Sequence, residues 1–157
     1  MSEFDFKSSG VPKTSPVFSQ EVNLKPIGFK TPLQLGLDRS GIFSMHFDPR
    51  DQISDNLKNL LMTNHGERLG LFNYGANLRI LVAERVSQDD FDNLAMESIK
   101  SAISNYMPFV EPITFTSSIE SVDPSRGLSQ VTITLSYDVP SIRMRDRKIS
   151  VTINCTG

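Results

Sequence analysis

The chain of 157 residues has no tryptophan and one cysteine, Cys155, close to its end. A single cysteine closes no internal disulfide, so the fold must hold by packing and hydrogen bonding alone. Long apolar runs are also missing. Stretches such as Ile80-Leu81-Val82-Ala83 fall far short of the ~20 residues that a membrane helix needs. Charge of one sign is not in excess: 16 Lys and Arg face 18 Asp and Glu, a formal net charge of −2. That balance supplies no general field for nucleic acid or an anionic membrane, and neither is expected as a partner. The first ten residues carry acids and no apolar core, which excludes a signal peptide, so the chain is expected to stay in the cytoplasm that makes it unless something larger carries it out. What is present, 38% hydrophobic and 22% charged residues, suits one globular domain with a real core.

Catalytic signatures are scarce. His46 and His65 are far apart, and neither has a Cys or His at metal-ligand spacing. Cys155 alternates with Val151 and Ile153 and reads as a small apolar filler. No nucleophile elbow, phosphate loop or dinucleotide-binding glycine run occurs. Glu67, Glu84, Glu97 and Glu111 are available for glycoside hydrolysis, but nothing pairs two of them, and no tryptophan offers a sugar platform. No catalytic residue, metal or cofactor is expected.

Residues 1–45 differ from the rest. Pro12, Pro16 and Pro26 make regular structure hard to sustain, so this stretch reads as an extended arm. Yet Phe4, Phe6, Val17, Phe18, Val22, Leu24, Ile27 and Phe29 would be wet in a free tail. Two readings stand: a loose terminus, or an arm that orders against a partner. From residue 46 onward the pattern is that of a single α+β domain. Asp48 can cap a helix with Pro49 in its first position, and Ile53, Leu57, Leu60 and Leu61 share one face until about Thr63-Asn64. Gly66, Gly70 and Gly75 punctuate a shaped loop that is expected to run to Leu81. Ser87 with Asp90 resembles a capping box, ahead of a second helix with the stripe Phe91, Leu94, Ala95, Ile99, Ala102, Ile103 and Tyr106, stopped by Pro108.

Strands follow. Ile113, Phe115, Ser117, Ile119 and Ser121 alternate along the first, Asp123 to Gly127 is a turn, and Val131, Ile133, Leu135 and Tyr137 alternate along the second. Asp138 to Asp146 reads as a longer connection, and Ile149, Val151, Ile153 and Cys155 alternate along the last strand. The expected architecture is two main helices on a small, mainly antiparallel sheet. Arg143, Arg145, Arg147 and Lys148 form the one basic cluster; if extended, the three arginines share a face. The acidic balance favours a guarded strand edge or a salt-bridging protein interface over a phosphate strip.

Three stretches then resemble a known family. Leu60 to Arg68 is similar to a helix end followed by T-x-x-G-x-R, Phe72 to Leu78 to an aromatic loop F/Y-G-x-x-L, and Ile99 to Tyr106 to a helix that runs into a Glu-Pro-Arg signature. Their order and spacing resemble the baseplate wedge subunits of contractile phage tails, with relatives in pyocins and type VI secretion systems, often labelled lysozyme-like. The resemblance covers about Asp51 to Asn154. It departs at the signature, where this chain has Met107-Pro108-Phe109 and keeps only the proline.

The resemblance implies a structural role in the tail baseplate of a virion, with other baseplate wedge proteins, the tail sheath protein and the tail tube as neighbours. It implies partner contacts at Gly66, Glu67, Arg68, Tyr74, Gly75, Met107, Pro108 and Phe109. It also implies that Lys148, Ile149, Ser150, Val151, Thr152, Ile153 and Asn154 form a strand on which sheath assembly begins by strand addition. The family label leaves peptidoglycan hydrolysis as the alternative.

Overall fold

The computed structural model describes residues 25–36, 42–83, 88–123 and 128–156. Strand β1 (Gly28–Phe29) pairs antiparallel with β2 (Met45–His46), and helix α1 (Pro49–Met62) follows. A loop leads into α2 (Leu78–Ala83) and then α3 (Gln88–Tyr106). Strands β3 (Glu111–Asp123), β4 (Leu128–Val139) and β5 (Met144–Thr156) form an antiparallel sheet in the order β3-β4-β5. The α+β expectation holds.

Helix α1 starts as its sequence dictates. The Asp48 side chain accepts the Arg50 N–H at 2.9 Å, and Pro49 occupies the first turn, where a missing N–H costs nothing. Leu57, Leu60 and Leu61 are buried, and the helix ends at Met62 with Thr63 as its C-cap. Along α3 the residues Phe91, Ala95, Ile99, Ala102 and Ile103 are buried, with Tyr106 packed beside them. Leu94 departs from that stripe and is exposed, because at about 100° per residue it falls off the flank of the buried arc. The proposed cap Ser87 lies outside the described residues, as do 124–127, the body of the expected turn.

The central strand supplies the core face of the sheet. Val131, Ile133, Leu135, Tyr137 and Val139 are all buried, each large side chain contributing about 1.5–3 kcal/mol. The Tyr137 hydroxyl, which would be costly to bury alone, lies 2.8 Å from Ser54 Oγ on α1. Val151 and Ile153 of β5 face the same core.

Three expectations are corrected. Leu78 to Leu81 belong to α2 rather than to the loop, with Leu78 fully buried. The supposed long connection after Asp138 is a tight one. Val139 pairs with Met144, and Pro140–Ile142 make a single 3-10 turn closed by Arg143 at φ 53°. On β3 the register slips between Pro112 and Thr114, which leaves Ile113 exposed; alternation resumes at Phe115, paired with Leu135.

Candidate assembly interface

Residues 63–77 fold back over the end of α1. The carbonyls that a helix C-terminus leaves open are met from this loop: Ala76 N–H donates to Leu60 O at 3.0 Å and Asn77 N–H to Thr63 O at 3.4 Å. Gly75 makes the approach possible. It has φ 115°, and a Cβ there would stand 2.1 Å from Thr63 O. Gly66 N–H donates to Phe72 O at 2.8 Å, closing the base of the outer part of the loop. From α3, Ser98 Oγ donates to Ala76 O at 2.9 Å.

Arg68 and Tyr74 meet on this frame. The Arg68 guanidinium sits 4.4 Å from the Tyr74 ring centre, and Tyr74 packs edge-on against Tyr106 at 4.9 Å. Glu67 turns inward to the loop, accepting the Asn64 N–H at 2.9 Å and its side-chain amide at 2.8 Å. Those two hydrogen bonds, with Arg79 nearby, hold the Glu67 carboxyl below its ordinary value against a slight desolvation. Beyond them Leu69 is fully exposed, and Leu71 and Phe72 are exposed too. This apolar tip, Leu69-Gly70-Leu71-Phe72, follows Arg68 directly in sequence, but its exposure depends on the path of the loop.

Of the other contact residues that the sequence suggested, Met107 and Gly75 are buried and shape the surface from beneath, while Pro108 and Phe109 are exposed beside it. Pro108, Val110, Glu111 and Pro112 line a shallow groove with Lys100, Ile103 and Ser104, about 440 Å³ in volume. A polar cleft of about 210 Å³ separates the loop from α3, lined by His65, Asn73, Ser98, Ser101 and Asn105. Neither cleft brings two carboxylates together. Among the described residues no group of His, Cys, Asp or Glu is arranged to hold a metal, and no helix is long and apolar enough to cross a membrane.

The segment before α1 is anchored in a way the sequence did not reveal. His46 is buried, and its partner is Asp55 rather than nearby Asp48: Nε2 lies 2.7 Å from Asp55 Oδ2, which also accepts the Thr31 N–H at 2.9 Å. Asn59 adds a bond to Thr31 Oγ1 at 3.3 Å. Burial pushes the Asp55 carboxyl up, but the Thr31 N–H and the His46 imidazole outweigh it and hold it below its ordinary value. Two antiparallel runs, 27–30 and 34–36 against 42–46, stand on this anchor. Ile27, Phe29, Leu35 and Ile42 on them, and Leu33 between them, are exposed. Val17 to Leu24 lie outside the described residues.

The third element is the sheet edge. Strand β5 ends the order β3-β4-β5, and pairing with β4 is unbroken from Arg147 to Thr156. Among the described residues no backbone group of β5 bonds to anything beyond its own sheet; Asp146 N–H donates to the Asp138 carboxylate of β4 at 2.7 Å. Asp146 has φ 49° and lies in a register shift, so the basic cluster is not evenly extended. Arg147 pairs with Tyr137 on the core parity while Arg145 falls at the bulge. The three arginines therefore do not share one face. Beside the far end of β5, a recess of about 210 Å³ is lined by Met62, Asn64 and Arg79 with Thr152 and Asn154.

No curated protein matches the chain significantly. Solved structures do, two of them baseplate or tail proteins by name. One is the baseplate of the anti-feeding prophage, at 14% identity over 82% of each chain with a TM-score of 0.51. The other is a Geobacter sulfurreducens protein provisionally named a tail lysozyme, at 19% identity over 69% of this chain and 91% of that one, with a TM-score of 0.47. The first supports the fold; the second is too distant in shape to carry an argument. The model of a protein family described as baseplate wedge protein gp25 matches residues 48–154, which takes in α1, the loop, α3 and nearly all of the sheet. The chain belongs to the baseplate wedge protein gp25 family.

Proposed function

We propose that this protein is a structural subunit of a contractile-tail baseplate, that it joins neighbouring wedge proteins, and that it starts the tail sheath by strand addition to β5. The observation that carries the reading is the outer edge of β5, a run from Arg147 to Thr156 in unbroken register with β4 and, among the described residues, no backbone partner on its far side. An exposed strand edge presents paired donors and acceptors at fixed spacing, and an incoming strand satisfies them without remodelling the domain. The strand suggested for this role, Lys148 to Asn154, lies wholly inside that run.

The wedge contacts are assigned to the surface formed by the 66–75 loop and the corner after α3. Arg68 and Tyr74 are held there by ring contacts, with Pro108 and Phe109 alongside. Gly66 and Gly75 set the loop path, Glu67 fixes its start, and Met107 supports the corner from the core. Where the family signature places an ion-pairing Glu and Arg, Phe109 offers an apolar contact. Residues 1–45 act as the arm, with the wedge domain proper from residue 46 onward. A tail tube neighbour follows from the same baseplate position, and synthesis in the host cytoplasm precedes incorporation into the virion.

The test is reconstitution: baseplates assembled with and without this subunit are offered sheath protein. Sheath should polymerise only where the subunit is present, and equal polymerisation on both would overturn the reading. A turbidity assay on purified cell walls should show no clearing by the protein, which checks the hydrolytic alternative.

A further inference from the structure

The edge that receives a strand in the reading above is strongly charged. Arg143, Arg145, Arg147 and Lys148 crowd the start of β5, and all four side chains are exposed. None has a carboxylate within salt-bridge distance among the described residues. At the other end of the run, exposed Arg79 lies beside Thr152 and Asn154, with the Glu67 carboxylate near enough to feel its charge. The chain as a whole is slightly acidic, so this concentration is local. The opposite edge of the same sheet differs: β3 contains Glu111, Glu120 and Asp123 and no lysine or arginine.

We propose that the strand which adds to β5 is acidic, and that the unpaired cations of this edge select it. The proposal rests on the reading of β5 as a template and names the chemistry of its occupant. Lysine and arginine on a free edge deter neutral strands, because pairing would crowd the charges and strip their water. An acidic strand reverses the sign of that effect: Arg147 and Lys148 gain partners as the backbone ladder forms, and Arg143 and Arg145 add to the field at its start. No proline interrupts the run, no helix among the described residues is hydrogen-bonded along it, and the bulge at Asp146 lies before the unbroken run rather than within it. The charges therefore act as a filter on an edge that is otherwise ready to pair. Complementary charge also speeds encounter, which suits a step that must precede the addition of many further subunits.

The experiment uses the full chain with isotopic labels and two soluble peptides of about ten residues, the length of the unbroken run. One alternates Val with Glu, the other Val with Lys. The Glu peptide should perturb the amides of Arg147 to Asn154 and bind at least about tenfold more tightly than the Lys peptide at low salt, with the difference shrinking at high salt. A variant carrying Arg143→Glu, Arg145→Glu, Arg147→Glu and Lys148→Glu should invert the preference. If that variant fails to fold by circular dichroism, the pair Arg145→Glu and Lys148→Glu should show the same inversion at smaller size. Equal affinity of the two peptides at β5 overturns the proposal and leaves strand addition standing. No perturbation of β5 by either peptide overturns both. A single-stranded oligonucleotide that binds these residues more tightly than the Glu peptide also overturns it, by assigning the edge to phosphate.

Discussion

Arg68 lies over the ring of Tyr74, with the guanidinium 4.4 Å from the ring centre, and Tyr74 in turn leans edge-on against Tyr106 at the end of α3. The cation is thus held in place by a ring that is itself fixed to the core. Arg68 is exposed, so its ring contact contributes only about 0.5–1 kcal/mol to stability. Arg68→Ala should leave the urea midpoint of the isolated protein nearly unchanged. Tail assembly, scored by counting particles in micrographs, should drop severalfold. Normal particle yield would remove Arg68 from the wedge contact.

Gly75 gives a prediction of the opposite kind. Its φ of 115° and its closeness to Thr63 O leave no room for a side chain. Gly75→Ala should destabilise the isolated domain by at least about 2 kcal/mol, from strain plus loss of the close approach. Chemical denaturation would show this as a lower midpoint at an unchanged slope. A stability equal to wild type would mean that the loop closes over α1 by some other path.

The anchor at Asp55 predicts a dependence on acid. Its folded-state carboxyl is held below the ordinary value, so the anchor stabilises fully at pH values above about 4, the unfolded-state value. That contribution is lost as the pH falls from there through the folded-state value. The Thr31 amide should then exchange faster with solvent below about pH 4, while the core strands β4 and β5 stay protected. Asp55→Asn should exchange quickly at Thr31 across the whole range. Persistent protection of Thr31 in that variant would show that the anchor is held by packing alone.

How much could be read beforehand follows from what each element depends on. The α1 cap, the α3 stripe and the alternation of β4 rest on local pattern, and Asp48, Ile99 and Leu135 sit where that pattern puts them. Val139 continues the alternation Val131, Ile133, Leu135 and Tyr137, but Asp138 before it and Pro140 after it made it read as part of a connection. Helix α2 was not visible. Six residues with Ile80 and Val82 among them carry too little propensity to signal a helix, and packing against α3 and β5 settles it. The pairing of Asp55 with His46 and Thr31 joins residues 9 and 24 positions apart, a distance no sequence window spans. The candidate contact loop was found through glycine spacing and family likeness. Its exposed tip at Leu69 and Phe72 became apparent only once the loop path was known.

The last prediction tests the template directly. Along an unbroken antiparallel run the backbone N–H groups point alternately to the two sides of the strand. Arg147 and Thr152 lie on opposite parities of the run that starts at Arg147, so one aims its N–H at β4 and the other at the open edge. Both side chains are exposed, so replacing either removes little packing. Proline cannot donate, and it is tolerated only where the N–H faces solvent. One of Arg147→Pro and Thr152→Pro should therefore lower stability by about 1–3 kcal/mol through a lost ladder bond. The other should stay close to wild type in thermal unfolding. That second variant is the probe of the edge. Baseplates built with it should carry a tube but no extended sheath, and the same baseplates with Thr152→Ser should carry both. If sheath grows at wild-type frequency from baseplates that contain the stable proline variant, β5 is not the template. Strand β3, at the other end of the sheet, would then be the next to test.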